Sequence, residues 1–229
     1  FSHFYRHFPS TDNLFLFNLY VCRYSIEKAV DDLEVILKNL RIRRFHLYGH
    51  SYVGILAFEY IKRIAECKAY YENEDSNGCL SVVLSSSPFS IQMAEEDTEA
   101  LLEVLRESDD DASTLKQRFR ITHQCRTQHM PAPLVDALKH AGAVWRDTVV
   151  IQNYVATPPS EQAVTMPPAM AMRGEYDCVN ERCLDEWKGV FNHNMVELRT
   201  LEGCSHHGLL ERGTFYGETL DNFFSKHDR

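Results

Sequence analysis

Three residue types that together cleave acyl bonds stand far apart in this chain, but in a telling order. Ser51 lies in Gly49-His50-Ser51-Tyr52-Val53-Gly54, between an apolar run, Phe45–Tyr48, and a helix-like pattern that begins at Ile55. A serine is a weak nucleophile unless a neighbouring base takes its proton. Strand, tight turn with a central serine, then helix is the passage that lifts a serine oxygen above a sheet edge. The orienting acid and the base are then expected after later strands, in the chain order Ser, Asp, His. Asp177 closes Gly174-Glu175-Tyr176-Asp177 just past the apolar run Ala169–Arg173. His206 and His207 close Glu202-Gly203-Cys204-Ser205-His206-His207 just past Met195–Leu201. Only one of these two histidines can face the serine, and spacing does not choose between them. The turn also departs from G-x-S-x-G. Val53 takes the second glycine position and Gly54 follows one place late, so a β-branched side chain is expected to crowd the turn.

The elements that must position these residues follow from periodicity. Ser25 reads as a helix start, and Ile26, Val30, Leu33, Ile36, Leu37 and Leu40 recur at helical spacing behind it. The strand Phe45–Tyr48 leads into the turn, and the helix after Gly54 runs to about Cys67. A polar acidic loop, Ala69–Gly78, precedes a buried strand at Leu80–Leu84. From about Gln92 to Glu161 the pattern is helical, with helices expected at Glu95–Ser108, Ser113–Arg126, Pro133–Ala141 and near Val144–Tyr154. No strand signal interrupts them, so they read as an insertion. Alternation then resumes with a strand at Ala169–Arg173, a helix at Asn180–Phe191, a strand at Met195–Leu201 and a helix at Thr214–Lys226. Alternating strands and helices with short links predict an α/β fold with a mostly parallel sheet covered by helices.

Composition narrows the function classes. The chain has 229 residues and a formal net charge of −9, which argues against a nucleic-acid partner, since such proteins cluster Lys and Arg. The longest apolar run near the start, Leu14–Cys22, is broken by Asn18 and too short to span a bilayer, so no membrane partner is expected. The seven cysteines include no C-x-x-C pair, which predicts reduced, mostly buried thiols in a cytoplasmic setting and no zinc site. His3, His7, His46, His123, His129 and His140 show no metal-ligand spacing, and Asp109-Asp110-Asp111 reads as a solvated turn. No metal or organic cofactor is expected. Phe15, Phe17 and Tyr20 read as packing residues.

On its motifs the chain resembles the α/β-hydrolase family, and within it the proline iminopeptidases, serine aminopeptidases that release an N-terminal residue. That family's elbow reads G-x-S-W-G-G, beside Gly49-His50-Ser51-Tyr52-Val53-Gly54 here. Its acid motif, G-x-Y-D, matches Gly174-Glu175-Tyr176-Asp177. Its G-C-G-H with a Glu five residues on is similar to Gly203-Cys204-Ser205-His206 with Glu211, which favours His206 over His207. Its Arg before Pro-x-Pro resembles Arg126 before Pro131-Ala132-Pro133. The resemblance spans roughly residues 25–229.

The resemblance implies a hydrolase core of residues 1–91 and 162–229, a helical cap of residues 92–161, and a triad of Ser51, Asp177 and His206. It also implies an oxyanion contact from the backbone N–H of Tyr52, and a small peptide or amide substrate. In that family a cap glutamate in a G-P-x-E segment holds the substrate's free amino group; Pro158-Pro159-Ser160-Glu161 is the nearest counterpart, which makes Glu161 a candidate substrate-binding residue. The second oxyanion loop and two or more strands precede, in the family, the region that matches residue 25. Phe1–Arg23 stand in their place, so those early strands are expected to be missing. A non-catalytic scaffold of the same fold, or a general esterase or amidase, is the competing expectation.

Overall fold

A computed structural model describes residues 25–66, 78–108, 111–139, 151–160, 166–191 and 195–228. Helix α1 (Ile26–Asn39) opens the described chain, and the Ser25 side chain accepts from Lys28 N–H at 3.1 Å to cap it, as its sequence position predicts. Strand β1 (Arg44–His50) follows, then helix α2 (Tyr52–Glu66) and strand β2 (Gly78–Ser85). The inserted segment carries α3 (Ile91–Ser108), α4 (Ala112–Phe119), one π-helical turn (Arg120–Gln124) and α5 (Ala132–Lys139). Strand β3 (Ala169–Gly174), the short helices α6 (Glu181–Asp185) and α7 (Trp187–Val190), strand β4 (Val196–Leu201), α8 (Gly208–Glu211) and α9 (Gly213–Ser225) complete the order.

The four strands form one sheet in the order β1-β2-β3-β4, and every pair is parallel. A parallel sheet puts all carboxyl ends at one edge, and helices must return the chain across its faces. Residues on β2 alternate accordingly. Val82 and Leu84 pack with Phe58, Ile61, Trp187 and Phe191 on the face covered by α1, α2 and α7. Val83 faces the other way, with Met170, Met172, Tyr216 and Phe223 under α9. A strand buried on both faces needs apolar residues at consecutive positions, which is why Leu80–Leu84 carries paired valines.

Several boundaries differ from the sequence expectations. Helix α3 starts at Ile91, four residues earlier than expected, because Ser90 Oγ accepts from Met93 N–H and caps it there. The expected helix Ser113–Arg126 ends at Phe119 and widens into the π-helical turn, and Asp111 is its N-cap, accepting from Ser113 N–H at 2.9 Å. The expected helix Asn180–Phe191 is two, broken at Glu186. The break turns the fully buried Trp187 against Phe58 and Phe89 and lets its Nε1–H donate to Ser87 O at 3.2 Å. The expected helix near Val144–Tyr154 lies outside the described residues up to 150. Its described end is a turn, after which Val155 bridges to Ser90. Phe15, Phe17, Tyr20, His3, His7, His140, Asp109 and Asp110 also lie outside the described residues. Among the described residues no helix is long and apolar enough to cross a membrane.

Candidate active site

All three candidate triad residues stand at the carboxyl edge of the sheet: Ser51 after β1, Asp177 after β3 and His206 after β4. The backbone pins each departure. Ser51 N–H donates to Ser85 O at 2.8 Å, Ser86 N–H to Met172 O at 2.7 Å, and Glu175 N–H to Leu201 O at 2.9 Å, extending the parallel ladder past the strand ends. Ser51 is held at φ +54°, in the left-handed region that side-chain-bearing residues avoid. A chain that must reverse from strand to helix within one residue forces that value.

The glycines of this turn explain its departure from the usual spacing. A Cβ on Gly49 would lie 2.6 Å from Gly54 Cα and from Val53 O, and one on Gly54 would lie 2.5 Å from the Ser87 side chain. Helix α2 thus presses against the strand ends at position 54, not 53. The Val53 side chain is 53% exposed and points away from the contact, so the expected crowding by Val53 does not occur.

The loop carrying His206 crosses the top of β3. A Cβ on Gly174 would lie 2.5 Å from both Cys204 O and Ser205 O, so only a glycine lets the loop lie that low. From there the loop reaches the serine turn. His206 O accepts from His50 Nε2 at 2.7 Å and from Ser86 Oγ at 3.3 Å, and the His50 and His206 rings stand 4.8 Å apart, edge to face. The candidate base therefore lies beside the residue that precedes Ser51. Glu211, first noticed as a motif residue, straps this loop: it accepts from Ser205 N–H (2.7 Å), Ser205 Oγ (2.5 Å) and Arg126 N–H (3.0 Å). Arg126 in turn lies over the Tyr176 ring, 3.7 Å from its centroid.

His206 Nδ1–H donates to Asp177 Oδ1 at 2.9 Å, and both side chains are buried. Val179 N–H donates to the same oxygen at 2.9 Å. Ser86 Oγ lies near the carboxylate but is directed at His206 O, which leaves Asp177 Oδ2 buried without a hydrogen-bond partner. Burial alone would raise the Asp177 pKa; the charge and hydrogen bond of His206 outweigh it and bring it to about 2. For His206 burial opposes the charged ring, but Cys178 and Asp177 override it and hold the imidazole well above the ordinary histidine value. His207 packs on both rings, its centroid 5.3 Å from that of His50 and 5.1 Å from that of His206, whereas the hydrogen bond to Asp177 is made by His206, so the geometry selects His206 of the pair.

Tyr52 is the first residue of α2, a fifteen-residue helix with no acid in its first turn. Amides at such an end point outward and favour negative charge. Glu161 lies outside the described residues. Its described neighbour Ser160 donates its N–H to Glu66 at 2.7 Å, at the far end of α2 from Ser51. At 1.5 Å per residue that separation is about 20 Å.

Sequence reasoning missed three parts of this site. His50, whose ring packs on His206, and Cys178, 3.7 Å from His206 Nδ1, carry no sequence signal for the site. His123 is hydrogen-bonded through its ring: its Nδ1–H donates to Tyr176 O at 2.9 Å. Its carbonyl matters more, because it accepts from His206 N–H at 3.2 Å, while Gln124 O accepts from His207 N–H at 2.9 Å. Each of these depends on contacts more than 25 positions apart, which no local pattern signals. The five described cysteines are free thiols, four of them buried, as expected.

The histidine cluster makes the protein acid-sensitive. Burial first, then the positive charge of His206, depress His50 to about 4 and His207 to about 3. Below the ordinary value of 6.5 the unfolded chain binds protons that the folded chain refuses, so stability falls as pH drops from 6.5 through these values. At pH 4 the loss attributable to His50 is about 3 kcal/mol. Urea titrations at pH 7 and pH 4 should show it, and His50→Gln, which keeps a side-chain N–H for His206 O, should lose less stability over that interval. An equal loss in the variant would remove His50 from the account.

No family model matches the sequence, and no curated protein matches it. Solved structures do match. A proline iminopeptidase from Mycobacterium smegmatis superposes with a TM-score of 0.68 at 20% identity, over 90% of this chain and 73% of that one. VinJ gives 0.67 at 16% identity, over 89% and 73%. An alpha/beta fold family hydrolase from Bacillus anthracis str. Sterne gives 0.56 at 16% identity, over 88% and 74%. The fold is that of the α/β-hydrolases. Within this α/β-hydrolase fold the serine turn, the acid loop and the histidine loop follow β1, β3 and β4 at the carboxyl edge, with the end of β2 between the first two, where open parallel sheets bind their ligands.

Proposed function

We propose that the chain is a serine hydrolase acting on a carboxylic amide or ester. The observation that carries this reading is the buried His206–Asp177 hydrogen bond, joined by its loop to a serine held at φ +54°. Ser51 Oγ attacks the substrate carbonyl, His206 Nε2 takes its proton and returns it to the leaving group, and Asp177 orients the ring and balances its charge. The Tyr52 N–H donates to the developing oxyanion. Among such substrates, small peptides with a free N-terminal residue fit best, on the likeness to the iminopeptidase fold and on the pairing of Arg126 with the G-E-Y-D loop. A carboxylate beside the substrate ammonium would favour exopeptidase cleavage, but Ser160, the neighbour of Glu161, is bound at the far end of α2 from Ser51, which does not support that role for Glu161.

A fluorophosphonate probe tests the chemistry. Labelling of the wild type and not of Ser51→Ala supports it; absence of labelling in a folded wild-type chain favours the non-catalytic scaffold. Release of naphthylamine from proline naphthylamide, but not from its N-acetylated form, supports amine recognition. Hydrolysis of simple esters alone points to a general esterase.

A further inference from the structure

Beside the acid–base pair stands a third group that the mechanism does not use. Cys178 Sγ lies 3.7 Å from His206 Nδ1, which itself lies 2.9 Å from Asp177 Oδ1, and one ligand atom from each residue falls within 4.8 Å of the others. Asp177 Oδ2, buried and without a hydrogen-bond partner, belongs to the same cluster. All three residues are buried, and the Cys178 side chain packs against Leu102 of α3 and Phe119 of α4. We propose that Asp177, Cys178 and His206 form a binding site for a zinc-class divalent cation, whose occupancy shuts off the base.

The geometry and the charges both suit such an ion. Tetrahedral zinc bonded at about 2.3 Å to sulfur and about 2.0 Å to nitrogen and oxygen puts its ligand atoms roughly 3.3–3.6 Å apart. The separations of 2.9 and 3.7 Å from His206 need adjustments of a few tenths of an ångström, and the Asp177–Cys178 separation, within 4.8 Å, closes by a rotation of the Cys178 side chain. Sulfur with imidazole nitrogen is a donor set that selects zinc, cobalt and cadmium over magnesium and calcium. One thiolate and one carboxylate cancel the ion's two charges, so the buried site is neutral, which a lone buried cation would not be. Binding converts the Cys178 thiol to thiolate with release of one proton, and where His206 is an imidazolium its Nδ1 proton is released as a second. The Nδ1 proton of a neutral His206 moves to Nε2 as the metal takes the Nδ1 lone pair. That tautomer presents an N–H where the mechanism requires a lone pair, and Ser51 loses its base. Binding stands apart from the catalytic reading; only the inhibition rests on it.

The test starts from metal-free full-length protein titrated with Co2+ and followed by absorption, then with Zn2+ by calorimetry. The expected result is one equivalent bound with a thiolate-to-cobalt charge-transfer band that Zn2+ displaces. Cys178→Ser should abolish the band and weaken Zn2+ binding by about a hundredfold, whereas Cys204→Ser should keep both. Absence of a thiolate band in the wild type, or its survival in Cys178→Ser, overturns the proposal, and the wild-type spectrum is decisive even if the variant does not fold. With an ester substrate, Zn2+ should suppress hydrolysis and a chelator restore it. Metal bound through Cys178 in a chain that hydrolyses nothing refutes the catalytic reading and leaves the site standing; hydrolysis unaffected by bound Zn2+ refutes the inhibitory step.

Discussion

Replacement of Ser51 is expected to lower turnover by a factor of about ten thousand or more, while glycine and alanine differ in their effect on the fold. At φ +54° an L-residue pays a steric penalty that glycine escapes. Ser51→Gly should therefore be more stable than Ser51→Ala by about 1 kcal/mol, and neither should turn over substrate. Nothing in the surrounding packing demands the hydroxyl: the residue is held by its backbone N–H to Ser85 O and by its carbonyl to Gly54 N–H, both of which any residue supplies. The serine is thus kept at a cost to folding, as strained residues at reactive sites are. Urea midpoints of the two variants, measured beside their activities, check the claim. Equal midpoints would mean that the turn relaxes on substitution.

The second large effect is expected at Asp177. Asp177→Asn preserves an oxygen for Val179 N–H and for His206 Nδ1–H, yet removes the charge that favours the imidazolium. Turnover should fall by about a thousandfold to ten-thousandfold, the scale on which a misoriented or unsupported imidazole fails. The pH profile separates this role from a merely structural one. His206 acts as a base only when neutral, and its pKa is raised in the folded wild type, so kcat/KM should climb with pH through a value above that of an ordinary histidine. In Asp177→Asn the limb should move to lower pH. Stability follows the same linkage. A raised folded pKa contributes stability that is complete below about 6.5 and is lost as pH rises through the folded value. The variant should show a smaller fall, because the contribution of Cys178 to the raised value remains. A limb that stays in place after the substitution would dissociate Asp177 from His206.

Much of this was legible in the sequence, for identifiable reasons. Period-two and continuous apolar runs locate β2 and β3 because burial on both faces leaves no polar position to blur the signal. Ser51, Asp177 and His206 stand out because each follows such a run directly. What stayed hidden depends on distance in three dimensions. The exposure of Val53 follows from α2 packing on Ser87, which no turn pattern contains. The choice of His206 over His207 needed a motif, since both follow the same strand. A π-helical turn and an α-helix share nearly the same apolar spacing over five residues, so Arg120–Gln124 read as plain helix. The break at Glu186 reflects the demand of Trp187 for a place among Phe58, Phe89 and Phe191.

The carbonyls of His123 and Gln124 hold the amides of His206 and His207. Inserted segments of a fold are where related proteins diverge most freely, because loops and added helices tolerate changes in length and sequence. In this molecule that freedom stops at a five-residue turn. Divergence can reshape α3 or α5, but an insertion or deletion within Arg120–Gln124 would shift the acceptors that hold the His206 and His207 amides. Relatives that keep this histidine loop should therefore vary in the length of the inserted segment everywhere except there, because two backbone oxygens tie the insert to the loop.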